Sequence, residues 1–98
     1  MGAEPDLGGL PGGALVGAGL EDLRAGRRSV GAMLVSMAAG RLRDRGVLGD
    51  GVVSLVEPER MLYAALRAEG GDAYARYNAL RRELDSFLAA LDHRRRRE

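Results

Sequence analysis

Cysteine and lysine are both missing from this 98-residue chain, and histidine occurs once, at His93. Without Cys there is no disulfide staple, and without Cys or a second His neither a nucleophile dyad nor a zinc site can be assembled. Without Lys the Gly-rich N-terminal stretch cannot be a P-loop, and Gly17-Ala18-Gly19 has neither the third glycine nor the preceding strand of a dinucleotide fingerprint. Ile, Thr and Gln are absent too, a bias that a GC-rich coding sequence produces by itself. Long apolar runs are also lacking. The main charge-free apolar stretches, Leu7 to Leu20 and Val30 to Gly40, fall short of the ~20 apolar residues that span a bilayer. The first follows Glu4 and Asp6 rather than basic residues and is broken by Gly and Pro, which argues against a signal peptide and for a cytoplasmic protein. Strong net charge is missing as well: fifteen Arg against fourteen acids give +1, so any basic function must be local.

What is present points to one small helical domain. Seven of the fifteen glycines lie between Gly2 and Gly19, with Pro5 and Pro11 among them, which predicts a disordered arm over residues 1–19. About 75 residues then remain to fold, a size at which small domains often need a partner surface. Protein partners or a homodimer are therefore expected.

From Leu20 to Arg41 apolar residues recur at three-four spacing, interrupted near Gly26, with Ser29 placed to cap a second, hydrophobic helix. Gly40 is a candidate break, leaving Arg41 to Arg45 as a separate turn. The run Val47 to Val56 fits either an apolar loop laid over the helices or a short hairpin. Pro58 sits at the first position of a third helix, Pro58 to Glu69, with Val56 and Met61 spaced as a hydrophobic staple. Gly70 and Gly71 end it, and Asp72 caps a fourth from Ala73 to His93. The expectation is an all-α bundle of three to four helices ending in a helical hairpin, with the domain over 20–93 and an Arg-rich tail over 94–98.

The last helix carries Tyr77, Leu80, Leu84, Phe87 and Leu91 at steps of three and four. At ~31 Å it outruns its hairpin partner at about 18 Å. Its far end is thus expected to overhang, making Tyr77, Leu84, Phe87, Leu88 and Leu91 the candidate protein interface. The same seam also fits ordinary bundle core. Arg94, Arg95, Arg96 and Arg97 are candidate contacts for phosphates or an acidic partner, or else a solvated fringe favoured by the helix dipole. Arg24, Arg27, Arg28, Arg41, Arg43 and Arg45 form a second basic set, which matters if it converges with the tail. Tyr74, Asn78, Arg81 and Asp85 follow one stripe, a hydrated face or a recognition surface. Pairs such as Glu57 with Glu59 and Glu83 with Asp85 diverge at i, i+2 spacing and offer no acid/base site. Small helical ribonucleases of the HEPN group carry an Arg four to six residues before their His, and no Arg precedes His93 in that window.

Several pieces resemble small uncharacterised helical proteins of high-GC bacteria: Asp22-Leu23 with Ala25-Gly26-Arg27, Leu34-Val35-Ser36, Arg41-Leu42-Arg43, Pro58-Glu59 with Leu62-Tyr63, Arg76 to Leu80, and Ser86-Phe87. The resemblance covers about Asp22 to Leu91 and implies no catalytic residue. In that group a Pro often precedes the Arg-Leu-Arg element, where this chain has Gly40. The function expected is a non-enzymatic interaction module, without cofactor or metal, that docks or self-associates through its C-terminal helix. The alternative is a small antitoxin-like regulator whose arginines contact nucleic-acid phosphates.

Overall fold

A computed structural model describes residues 7, 9–49 and 51–96, and for Arg95 the backbone alone. Five helices follow in order: α1 Gly13–Arg24, α2 Val30–Met37, α3 Ala39–Asp44, α4 Pro58–Glu69 and α5 Ala73–Arg96. Among the described residues there is no strand. The all-α expectation and the closing hairpin are both realised, and the separate turn expected at Arg41 to Arg45 falls within a fifth helical piece, α3.

The largest departure is at the N-terminus. The expected arm over 1–19 gives way to helix from Gly13 onward, while residues 1–6 and 8 lie outside the described set. Val16, Leu20 and Leu23 fall on one face and are buried, so burial of that face offsets the entropy cost of three helical glycines. One of those glycines is required. A Cβ at Gly19 would sit 2.3 Å from the carbonyl oxygen of Gly31 and 2.8 Å from Val35 Cγ2, so α1 and α2 touch backbone to backbone there. Helix α1 ends in a Schellman motif, with Arg27 N–H donating to Asp22 O at 2.8 Å, Gly26 N–H to Leu23 O at 3.1 Å, and Gly26 at φ 78°.

Helix α2 is the central element, packed on α1, α4, α3 and α5. Its Ser29 caps as expected, the Oγ accepting from Ala32 N–H at 3.0 Å. Five consecutive residues, Ala32 to Ser36, are buried, which suits a helix enclosed on several sides. The interruption before α3 falls at Ala38, at φ −110° and ψ 18°, rather than at Gly40.

The segment after α3 is a loop and not a hairpin. Val47 and Leu48 enter the core, whereas Val53 and Val56 are each 81% exposed. Exposure of Val56 also leaves little of the staple expected with Met61. Two hydrogen bonds hold the loop down: Leu55 N–H to Ser36 Oγ at 3.0 Å, and the Arg43 guanidinium to Val52 O at 2.7 Å. The first accounts for Ser36, a buried hydroxyl in an otherwise apolar helix.

Helices α4 and α5 form the antiparallel hairpin. Gly70 and Gly71 turn with φ of 85° and 78°, and Asp72 caps α5 by accepting from Ala75 N–H at 3.0 Å. Leu62 and Leu66 are wholly buried in the same cluster as Leu84, Phe87, Leu88 and Leu91. The overhang expected for the far half of α5 is therefore absent. Phe87, Leu88 and Leu91 are 0%, 4% and 5% exposed. Helix α2 packs on α5, and two further elements outside the hairpin reach it. The turn before α1 lies on α5, where a Cβ at Gly12 would be 2.9 Å from Glu83 O and 3.5 Å from Phe87 Cβ. The end of α3 reaches the last turns of α5 through Arg45 and Asp92.

Candidate interaction surfaces

Burial redistributes the residues expected to act. Leu84, Phe87, Leu88 and Leu91 are core, and an interface built on them within this fold is excluded because one subunit already encloses them. Tyr77 remains half-buried at the surface. Tyr74 and Asn78, with Arg81 and Asp85, do share an outward stripe of α5, on which Tyr74 is 66% exposed. His93, Arg94 and Arg96 are exposed, while the side chain of Arg95 and all of Arg97 lie outside the described residues.

The structure brings forward a face that the pattern alone did not single out. Tyr63 of α4 and Tyr77 of α5 meet edge to face, ring centroids 5.9 Å apart and planes at 72°. They line an open groove of about 530 Å³ together with Glu59, Arg60, Ala64 and Arg67. On α4 the residues Arg60, Tyr63, Ala64 and Arg67 follow steps of three and four, the outward counterpart of the buried Leu62 and Leu66. Arg60 lies 3.9 Å from Glu57, both well exposed, so that pair restrains the guanidinium little. Three of the chain's four aromatic residues belong to this hairpin surface, and the fourth, Phe87, is core. That concentration of aromatics is the sequence signal for this face.

A second feature lies at the opposite end of α5. Arg45, just past α3, donates Nε to Asp92 Oδ1 and Nη2 to Asp92 Oδ2, the latter at 2.8 Å. Its Nη1 donates to the carbonyl of Arg41 at 2.9 Å. With its side chain only 18% exposed, Arg45 forms a fork that fixes the end of α3 against α5. The hydrogen bonds from Arg45 to Asp92 raise its already high pKa, so it stays charged throughout the working range. Arg41 stands one turn before Arg45, and Arg96 one turn after Asp92. Part of the basic set thus reaches the tail.

The rest does not. Arg27 donates Nε to Asp22 Oδ1 at 2.8 Å, and Arg24 and Arg27 line a separate groove of about 360 Å³ with Leu23, Gly51, Val52 and Val53. Asp22 is held below the usual carboxylate range by hydrogen bonds from Ser29 and Arg27. Arg43 is committed to the Val52 carbonyl. Among the described residues no three His, Cys, Asp or Glu side chains gather as a metal site, and no helix is long and apolar enough to cross a membrane.

No protein-family model matches this chain, and neither does any curated protein or solved structure.

Proposed function

We propose that this chain is a non-enzymatic cytoplasmic interaction module that pairs with a second copy of itself through the outer face of the α4–α5 hairpin. One observation carries the reading: the Tyr63–Tyr77 ring pair flooring an open groove flanked by Arg60 and Arg67. Tyr and Arg are the residues that most enrich interface centres, because each offers a large apolar body with a polar end. The docking element moves accordingly from the buried far end of α5 to its first turns and to α4.

A two-fold interface must be complementary to itself. Glu59 and Arg67 lie at opposite ends of the groove, so crossing α4 on its antiparallel copy brings each Arg67 beside the other chain's Glu59. A non-catalytic role is supported by a chain without Cys or Lys whose single His stands exposed near a helix end.

Sedimentation velocity between about 1 and 100 μM, the range that separates modest from weak association, tests the pairing. A dimer is expected, lost in Arg67→Glu and recovered when Glu59→Arg is added to it. Helical circular dichroism should be unchanged, since both side chains are exposed. A single monomeric boundary at all concentrations rejects self-association through this face.

A further inference from the structure

We infer that the end of the molecule where α3 meets the last turn of α5 binds the phosphate backbone of nucleic acid, with Arg41, Arg94 and Arg96 making the contacts. This inference is independent of the hairpin pairing, which uses the other end of α5.

The argument begins with how charge is distributed. Residues 41–45 and 92–96 hold six Arg against Asp44 and Asp92, a formal +4. The whole chain is +1, so everything else sums to −3. A protein close to neutral is therefore strongly polarised, and a polyanion meets a field that the net charge conceals. Sequence separation hides this, because the two segments lie far apart along the chain. The Arg45–Asp92 fork joins them.

That fork also assigns roles. Arg45 and Asp92 satisfy each other and act as the hinge pin of the patch, while Arg41 and Arg96 lie one turn away on their respective helices and are exposed. Arg94 is exposed on the same terminal turn of α5 as Arg96. The negative end of the α5 dipole would attract these cations inward, yet a helix terminus offsets only a fraction of one charge. Guanidinium groups bind phosphate oxygens two at a time, which suits a row of phosphodiesters.

A lipid surface carries phosphates as well, but the patch has no apolar side chain to insert. Leu88 and Leu91 are buried, and among the described residues the exposed positions after Leu91 are His93, Arg94 and Arg96. Membrane-surface helices need an exposed apolar face beside the basic one. Nucleic acid is the occupant that this chemistry fits.

Fluorescence anisotropy of a labelled 20-base-pair DNA duplex, titrated with the full chain at several salt concentrations, provides the test. Affinity should fall steeply with salt, with a log–log slope near −3 for about three displaced counterions. Arg41→Glu combined with Arg96→Glu should weaken binding at least about tenfold at low salt and flatten the slope by about two. The control is Arg81→Glu with Arg82→Glu, exposed residues of mid-α5 that impose the same change of net charge; it should shift affinity less than about twofold. Equal losses in the two variants would show binding by net charge alone and overturn the assignment. So would undetectable duplex binding, or binding to phosphatidylserine vesicles in its place.

Discussion

The α1–α2 crossing and the α4–α5 hairpin pack two helices each by opposite means. At the crossing, Gly19 and Gly31 remove their side chains so that backbones meet, and stability comes from the flanking Val16, Leu20 and Val35. At the hairpin, side chains fill the space: Leu62 and Leu66 inside, the Tyr63–Tyr77 pair at the edge, and an Arg76–Glu69 ion pair of 2.6 Å outside. The first arrangement tolerates no added atom, and the second no lost one. A close backbone contact is broken by enlargement and a side-chain contact by truncation, so the two junctions should respond to mutation with opposite logic.

The largest effect should come from emptying the hairpin. Leu66 is wholly buried, and Leu66→Ala should cost about 3 kcal/mol in urea unfolding through lost burial plus cavity. Next comes filling the crossing: Gly19→Ala should cost about 2 kcal/mol, because the new methyl meets the Gly31 backbone rather than a movable side chain. Gly17, two residues earlier in the same helix, has open space where its Cβ would be. There the same substitution should stabilise by about 0.5–1 kcal/mol, the ordinary helix preference for Ala. Opposite signs at the two glycines in thermal melts would isolate the contact from the propensity; equal signs would refute the close approach. Glu69→Ala should change stability by less than about 0.5 kcal/mol, since its pair with Arg76 is roughly half exposed.

The smallest effect is a dependence on pH at the α1–α2 junction. Asp22 is more acidic in the folded chain than its ordinary value of 3.8, owing to hydrogen bonds from Ser29 and Arg27. A carboxylate of lowered pKa stabilises the fold above its unfolded value and loses that contribution as pH falls through the folded one. Wild type should therefore lose more melting temperature than Asp22→Asn between about pH 6 and pH 2.5. Parallel losses would remove Asp22 from the account.

Local signals were legible in the sequence wherever the cause is local. Ser29, Pro58, Gly70 and Asp72 mark helix ends because capping and φ restriction act over three or four residues. The start of α1 was not legible, since Gly19 is needed only because Gly31 lies against it, and composition around it reads as flexibility. That one omission propagated. With the first turns of α1 and the turn before it counted as arm, one of the elements lying on α5 was missing, and the end of α5 looked like an interface. Likewise, no spacing rule joins Arg45 to Asp92, forty-seven residues away. The tyrosines were in plain view, but their edge-to-face meeting requires the hairpin register to be known.

The loop between α3 and α4 leads elsewhere. Val53 and Val56 stand in solvent while the flanking residues are tied down by Ser36 and Arg43, so cleavage between Val53 and Ser54 would sever no helix. The two pieces would divide a single apolar cluster, Val16 through Leu48 on one and Leu62 through Leu91 on the other. Neither piece alone has anywhere to hide its greasy side, and their reunion on mixing would make the molecule a natural two-part reporter.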